Sequence, residues 1–335
     1  MYPLKMLPYY RHGNETPWGG SQLRDVFGKD IPDDLTGESL EVSALSGRES
    51  VVANGECAGK TLSEMIALWG EALTGQKDNA VFPLLLKLLD ARDMLSVQVH
   101  PNDEYAMQRH GKLGKTEAWV ILSAPKDAKI VFGVKNDVPL RDAVEGGQLE
   151  EMLNWVKVVP GDVLYIPHGM VHALGGGLLV YEIQQSSDVT YRFYDWGRGR
   201  ELHTEDALNV SRPSLEARVL HGATVLCAGG SRTAYISDKN FELWRLNVSG
   251  KMPIEEGRMR FLTAMGPCTL SWADGRMELS PGETVVVPAK CADVCIEGKL
   301  SVLCSSLPDQ ENMRREMGNR QYEIAGLCES AAAMP

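Results

Sequence analysis

The chain has 335 residues, of which 34 are basic and 45 acidic, so its formal net charge is −11. With 44% hydrophobic and 24% charged residues, its composition is that of a globular protein and excludes a collagen-like, coiled-coil or disordered chain. The acidic balance argues against nucleic acid or an anionic membrane surface as a partner. It leaves room for a small anionic ligand, because an acidic protein can still contain a basic pocket.

The N-terminal segment and the cysteines indicate a cytoplasmic protein. Residues 1–20 contain early prolines and charges instead of the apolar core of a signal peptide. No apolar stretch has the length that a bilayer span requires. The seven cysteines form no Cys-x-x-Cys pair, which favours reduced thiols over a disulfide framework or a thiolate zinc site.

Short β-like runs separated by Gly, Pro and Asp dominate the chain. The predicted elements in chain order are a helix over Thr61–Leu73 with a capping box at Thr61 and Glu64, strand Leu95–Val99, helix Asp103–Arg109, strands Ala118–Leu122 and Lys129–Phe132, helices Leu140–Glu145 and Leu149–Trp155, strands Val163–Ile166, Leu178–Gln184, Thr190–Tyr194, Phe241–Val248, Arg260–Thr263, Cys268–Trp272, Glu283–Val287 and Leu300–Cys304, and helix Gln310–Met317. Many short strands without βαβ alternation predict a mainly β protein.

A short internal sequence repeat suggests two copies of one β unit. Residues 160–167 and 281–288 both contain a Pro-Gly turn, an apolar strand of four residues and a closing proline. We therefore predict a first domain over residues 1–230 with helical insertions and a second β domain over residues 231–308. Residues 309–335 are expected to form a tail that is helical and then disordered.

Two segments place polar side chains on one face of a strand. Ser96, Gln98 and His100 alternate along the first segment, and Lys115 and Glu117 share a face in the second. These side chains need partners if the faces point inward, whereas a solvated face would leave them in water. The Gly-Lys-Thr triplet at 114–116 is not a phosphate-binding P-loop, because the required earlier glycine is absent and a strand follows.

A third segment, Gly161–His172, has the pattern G-x5-P-x-G-x-x-H. Gly161 allows the entry turn, Pro167 ends a strand, and Gly169 allows the tight turn that returns His172 to the interior. On its own, His172 is as compatible with an ordinary core or surface histidine as with a metal ligand.

This third segment resembles the second conserved motif of the cupins, which are metal-binding β-barrels. Taken with other segments in the same order, it makes residues 5–305 similar to the type I mannose-6-phosphate isomerases in their shorter bacterial form. Those segments are Trp18–Gly20, Thr36–Ser39, Phe82–Lys87, Leu95–Pro101, Gly114–Glu117 and Glu182–Asp188. The resemblance implies two cupin-like jelly-roll barrels with a few short helices.

The resemblance also implies one zinc ion per chain. Carried over by motif, its ligands are Gln98, His100, Glu117 and His172. Imidazole and carboxylate are ordinary zinc ligands, although the same donors also bind iron, manganese or cobalt. In the second repeat Asp293 stands at the histidine position, and we read that half as a metal-free structural copy.

Further residues of the family's site match positions in this chain. The resemblance assigns substrate contacts to Lys87, Ser96 and Lys115, and catalytic roles to Arg192 and Glu182. Arg192 has the alternative of a structural ion pair with Asp188 or Asp195. For the catalytic base, Glu182, a metal-bound water and a histidine all stay open.

The function that the resemblance implies is a metal-dependent aldose–ketose isomerase. It would interconvert mannose 6-phosphate and fructose 6-phosphate through a cis-enediol, as a monomer or weak homodimer with a sugar phosphate as its partner. The alternatives are another metal-dependent cupin enzyme, such as a dioxygenase, and a non-catalytic sugar-binding cupin.

Overall fold

The computed structural model describes residues 1–77, 81–135 and 139–327. In chain order the strands are β1 Leu4–Leu7, β2 Tyr9–Arg11, β3 Glu38–Val42, β4 Val51–Val52, β5 Leu84–Ala91, β6 Val97–Val99, β7 Glu117–Ser123, β8 Lys129–Val134, β9 Leu153–Lys157, β10 Val163–Ile166, β11 His172–Ala173, β12 Leu178–Gln185, β13 Tyr191–Tyr194, β14 Val219–Leu220, β15 Ala223–Cys227, β16 Gly230–Ser237, β17 Glu242–Pro253, β18 Arg260–Ala264, β19 Cys268–Trp272, β20 Gly275–Leu279, β21 Thr284–Val287 and β22 Cys295–Ser306.

Short helices connect these strands. The α-helices are α1 Gln22–Phe27, α2 Leu62–Trp69, α3 Glu71–Thr74, α4 Asp103–His110, α5 Leu140–Glu145, α6 Leu149–Met152, α7 Thr204–Val210 and α8 Gln310–Met317, and 3-10 turns cover Gly13–Glu15, Gly55–Cys57 and Gly318–Glu323. The prediction of a mainly β protein is confirmed.

Two sheets form the N-terminal part of the molecule. A seven-stranded sheet has the order β14-β10-β7-β12-β5-β3-β2, and a five-stranded sheet has the order β13-β6-β11-β8-β9. Successive residues of a strand point to opposite faces, and β12 follows this rule. Its Leu178 and Val180 pack with Phe132 of the five-stranded sheet, whereas Tyr181 packs with Phe261 on the other side. The space between the two sheets holds the polar residues described below.

The third sheet, called here the C-terminal sheet, has ten strands. Its main order is β15-β16-β17-β22-β18-β21-β1-β4, and β19 and β20 extend it from β22. Strand β1 pairs with β21, with Leu4 opposite Val286, so the N-terminal strand belongs to this sheet. The predicted division between residues 230 and 231 falls within the β15–β16 hairpin, and the domain boundaries stay a prediction.

Two predicted helices differ from the structure in extent. The capping box of Thr61 and Glu64 is present, but the helix ends at Trp69 because Gly70 has φ 48° and ψ −129°, which is not helical. The predicted helix over Leu149–Trp155 stops at Met152, because residues from Leu153 onward pair with β8 as strand β9. The helix Gln310–Met317 has its predicted bounds. Strands β17 and β22 are longer than the predicted runs Phe241–Val248 and Leu300–Cys304.

The remaining predictions about the whole chain concern cysteines, membranes and the C-terminus. The cysteines of the described ranges are free thiols. Within residues 1–77, 81–135 and 139–327, no helix is long and apolar enough to cross a membrane. Helix α8 packs Met313 and Met317 against the C-terminal sheet. The predicted disordered end falls on residues 328–335, which lie outside the described residues.

Candidate active site

Three predicted metal ligands come together between the two N-terminal sheets. His172 on β11 lies opposite Gln98 on β6, and Glu117 begins β7 of the facing sheet. His100 follows β6 at the same end. Ligand atoms of His100, Glu117 and His172 all lie within 4.8 Å of one another, and the three side chains are buried.

Backbone carbonyls fix which nitrogen of each imidazole carries the proton. The Nδ1 of His100 lies 3.0 Å from the carbonyl oxygen of Val189, and the Nδ1 of His172 lies 2.8 Å from that of Met170. Because a carbonyl oxygen only accepts, both Nδ1 atoms donate, and in the neutral rings both Nε2 atoms carry the lone pair. Burial lowers the pKa of both imidazoles, that of His172 to about 4, so both are neutral near pH 7. Two neutral imidazoles with directed lone pairs are what a metal site requires.

The carboxylate of Glu117 lies between these two histidines. Its Oε1 is 3.3 Å from the Nε2 of His172, and its Oε2 is 3.5 Å from the Nε2 of His100. Among the residues that the structure describes, neither oxygen has a hydrogen-bond partner of good geometry. The Nζ of Lys115 lies 2.5 Å from Oε2 and 3.0 Å from the Nε2 of His100, so a positive charge already sits against these donors. A buried carboxylate needs such a cation, and the donor set therefore fits a divalent metal.

Gln98 and Ser96 extend this cluster along the five-stranded sheet. The hydroxyl of Ser96 donates to the Oε1 of Gln98 at 3.2 Å, and the Nε2 of Gln98 lies 3.3 Å from the Nε2 of His172. Ser96 and Gln98 therefore share a face, as the period-two prediction required. The structure brings all four predicted ligands to one place.

A row of alternating charges crosses the inner face of the seven-stranded sheet. The Nζ of Lys87 on β5 lies 3.5 Å from a carboxylate oxygen of Glu38 and 3.3 Å from the Oε1 of Glu182 on β12. Arg11 completes the row with a hydrogen bond of 3.1 Å to Glu38. Burial alone would raise the pKa of Glu38, but Lys87 and Arg11 lower it to about 2. Burial likewise opposes the charge of Lys87, but Glu38 and Glu182 hold its pKa above the ordinary value.

Arg192 lies on β13 opposite Gln98. Asp188 pairs with Lys112 at 2.6 Å, and Asp195 pairs with Arg198 and Arg200. In the part of the chain that the structure describes, neither carboxylate therefore pairs with Arg192, and the buried Nε of its guanidinium has no hydrogen-bond partner. Burial lowers the pKa of Arg192, and the nearby Arg200 lowers it further. An arginine always stays charged in proteins, so this guanidinium is available to an anionic group.

A cavity of about 160 Å³ joins these groups to the surface. It is lined by the six predicted residues Lys87, Ser96, Gln98, Lys115, Glu182 and Arg192, while His100, Glu117 and His172 lie behind its wall. Further polar lining residues were not predicted as site residues, and they include Arg11, Glu15, Glu38, Arg48, Trp119, Ser187, Asp188, Thr190 and Arg200. Trp119 could have been found from the sequence, because it is the next residue after Glu117 on the same face of β7. Arg48 and Arg200 come from loops whose path follows no periodic pattern.

Comparison with known proteins shows to which family this chain belongs. A family model described as the catalytic domain of type I phosphomannose isomerases matches residues 6–118. A mannose-6-phosphate isomerase of Streptococcus mutans is 36% identical over 298 residues, which cover 86% of this chain and 94% of that protein. The chain belongs to the mannose-6-phosphate isomerase family. This confirms the resemblance found in the sequence.

Other members of the mannose-6-phosphate isomerase family extend the match over nearly the whole chain. The mannose-6-phosphate isomerase ManA of Bacillus subtilis is 37% identical over 320 residues, covering 91% of this chain and 99% of the relative. The crystal structure of the mannose 6-phosphate isomerase from Bacillus subtilis superposes with a TM-score of 0.86 at 32% identity. It covers 91% of this chain and 99% of that one. Both the predicted catalytic part and the C-terminal sheet therefore have counterparts in this family.

Proposed function

We propose that this chain interconverts mannose 6-phosphate and fructose 6-phosphate by moving a proton between C1 and C2 through a cis-enediol. The observation that carries the proposal is the cavity itself. It is lined by a buried carboxylate at Glu182, an open guanidinium at Arg192 and Gln98, which contacts the buried donor set for a divalent metal. An aldose–ketose isomerase needs these three functions, because it must acidify a C–H bond next to a carbonyl and move the proton released.

Gln98, His100, Glu117 and His172 are proposed to hold the metal, and zinc is the proposed ion. Nitrogen and oxygen donors without thiolate are ordinary zinc ligands. Glu117 is the one formal negative charge among the four, so a bound divalent ion would keep net positive charge and would supply Lewis acidity. The two backbone-anchored imidazoles keep the donors in place before the ion binds.

Arg192 is proposed to stabilise the negative charge that develops on the enediolate oxygen. Its guanidinium lines the cavity without a carboxylate partner in the described ranges, so its donors need no rearrangement before they meet the substrate. Donors that are already oriented in a partly buried site are worth more to a transition state than donors in water.

Glu182 is proposed to carry the proton between C1 and C2. It is 3% exposed and lines the cavity, and its Oε1 has no hydrogen bond. A carboxylate of this kind accepts a proton from carbon and returns it to the neighbouring carbon. The Nζ of Lys87 lies 3.3 Å from Oε1, so a cation borders the proposed proton carrier.

Lys87, Ser96 and Lys115 are proposed to bind the substrate through its anionic group. All three line the cavity, and both ammonium groups are nearly buried. Lys87 and Lys115 each also contact carboxylates of the site, so they couple substrate binding to the charge of the reacting groups. Holding the phosphate fixes C1 and C2 near the base, which is the orientation effect that proton transfer requires.

The proposed setting is the cytoplasm, with the chain acting as a monomer or weak homodimer that binds no nucleic acid. The net charge of −11 supports the last point, since it repels polyanions. The free thiols of the described cysteines support a reducing compartment.

A coupled assay tests the function. Purified protein is given mannose 6-phosphate, and fructose 6-phosphate is measured before chelation, after chelation and after zinc is restored. We expect turnover, its loss with the metal and its recovery with zinc. Turnover that persists in metal-free protein would contradict the metal's role, and no turnover in zinc-loaded protein would contradict the isomerase itself.

A further inference from the structure

Trp119 connects two groups of the site that the sequence did not link. It is 1% exposed, and it is the next inward residue after Glu117 on β7, directly opposite Glu182 on β12. Its indole Nε1 donates a hydrogen bond of 2.8 Å to the Oε2 of Glu182. Its ring meets the imidazole of His172 edge-on, with ring centroids 5.5 Å apart. The indole therefore touches both the proposed proton carrier and a proposed metal ligand.

The hydrogen bond from the Trp119 indole gives the two carboxylate oxygens of Glu182 different surroundings. Oε2 accepts from the indole, whereas Oε1 has no hydrogen bond and lies 3.3 Å from the Nζ of Lys87. A glutamate has three rotatable side-chain bonds, so a fixed donor helps to select one orientation of its carboxylate. Because a buried indole N–H needs an acceptor and a charged acceptor makes a strong bond, this contact holds the carboxylate in one orientation.

We propose that Trp119 is a positioning residue for the isomerisation. Its indole N–H occupies Oε2 of Glu182 and leaves Oε1 as the oxygen that exchanges the proton with the substrate. The proposal rests on the proposed function, because it assumes that Glu182 carries the proton. It adds a residue whose effect on turnover passes entirely through Glu182.

A tryptophan in a core can also serve packing alone, and the two roles predict different results. Phenylalanine keeps an aromatic ring at position 119 but has no N–H. A packing role predicts a loss of stability with turnover unchanged at a temperature where the variant is folded. A positioning role predicts a loss of kcat with little change in KM, because the misdirected carboxylate affects proton transfer more than binding.

The first experiment compares Trp119→Phe with Trp196→Phe at full metal loading. Trp196 is a matched control, because its indole also donates a hydrogen bond near the site, but to the backbone carbonyl of Leu95 at 2.7 Å. We expect Trp119→Phe to lower kcat roughly 10- to 100-fold, the range that one hydrogen bond to a charged group is worth. We expect KM and metal content to stay the same, and Trp196→Phe to change neither kcat nor KM. Unchanged kcat, or a loss that follows the metal content, would overturn the proposal.

The second experiment places Trp119→Phe in a Glu182→Gln background. If the indole acts only through Glu182, the double variant turns over about as fast as Glu182→Gln alone. If Trp119→Phe lowers kcat by the same factor in both backgrounds, Trp119 acts by another route and the proposal is wrong.

A third measurement does not depend on activity or on the folding of Trp119→Phe. The ¹H–¹⁵N spectrum of the seven tryptophan indoles is compared between wild type and Glu182→Gln. We expect one indole N–H resonance to move upfield as its acceptor changes from a carboxylate to an amide. Seven unmoved resonances would overturn the contact itself, whereas failure of the isomerase assay with a moved resonance would overturn only the proposed function.

Discussion

The two halves of this molecule use the same chain pattern with different interiors. Strand β10 in the N-terminal half and strand β21 in the C-terminal sheet both follow a Pro-Gly turn and end in proline. After β10 the chain turns back and buries His172 between two sheets. After β21 it reaches Asp293, which is exposed and has φ 57°. The turns and strands thus specify the architecture, while a few inward positions decide whether it holds polar chemistry.

The interiors differ in charge as well as in residue type. Between the N-terminal sheets lie Lys87, Glu117 and Glu182, each balanced by a neighbour of opposite charge. The C-terminal sheet packs against an apolar cluster with fully buried residues such as Leu262 and Leu270, and its buried carboxylate Glu242 is paired with Arg258. A buried charge is costly unless it is paired, so these ion pairs offset the cost of holding charged groups between the N-terminal sheets. We expect mutations in the two interiors to separate activity from stability.

The largest effect is expected from His172→Ala. The variant removes one of the two anchored imidazoles, so metal content should fall from about one per chain to near zero and activity should fall by at least roughly 1,000-fold. Elemental analysis and the isomerase assay measure the two quantities. His12→Ala is the control, because His12 is an exposed histidine paired with Asp33. Unchanged metal content in His172→Ala would remove His172 from the ligands.

Arg192→Ala should lower turnover without removing the metal. Loss of one preorganised donor to a developing oxyanion reduces kcat by roughly 100- to 1,000-fold. The control is Arg141→Ala, which removes an exposed arginine that pairs with Glu205. If turnover stays within a few-fold of wild type, Arg192 has a structural role and the N-terminal interior is less specialised than we propose.

Leu270→Ala, in the C-terminal sheet, should lower stability without lowering activity. Leu270 on β19 is fully buried, and truncating such a leucine costs roughly 2–5 kcal/mol of unfolding free energy. Guanidinium unfolding measures this loss. Metal content and kcat should stay at wild-type values at a temperature where the variant is folded. A concurrent loss of metal would show that the two interiors are not independent.

A smaller effect is expected on the pH dependence of the unfolding free energy when the N-terminal site holds no metal. His100 and His172 have lowered pKa values in the folded state, so the unfolded chain binds more protons as the pH falls below about 6.5. Stability should therefore decrease with falling pH by about 1.4 kcal/mol per pH unit for each histidine. Unfolding of chelated protein between pH 6.5 and 5 measures the slope. His172→Gln should have a shallower slope than wild type, and an equal slope would contradict the buried, neutral state of His172.

Much of the site could be predicted from the sequence because strand periodicity is local. Alternation placed Ser96 with Gln98 and Lys115 with Glu117, and the structure has both pairs in contact. The roles assigned to them by family resemblance stay proposals. Lys87 was expected to contact substrate, but its ion pairs with Glu38 and Glu182 were not foreseen. Such pairs depend on which strands are neighbours, and period-two patterns do not carry that information.

The wrong end of one predicted helix and the overlooked role of Trp119 have one cause, which is pairing between strands. The helix predicted over Leu149–Trp155 was wrong beyond Met152, because pairing with β8 outweighs local helical preference. The indole of Trp119 was overlooked because an apolar strand already explained its presence. Its function depends on Glu182, which lies far away in sequence and directly opposite in the sheet.

The pairing of β1 with β21 affects how the chain can fold during synthesis. Strand β1 at Leu4–Leu7 is made long before its partner strand Thr284–Val287, which emerges only after all of the N-terminal half has been made. Until then the first strand has an unpaired edge, which is a site for wrong pairing with other chains. The pairing of β1 with β21 can therefore form only late in synthesis. A nascent chain that stalls before residue 284 contains every proposed metal ligand but lacks strand β21, with which its strand β1 pairs.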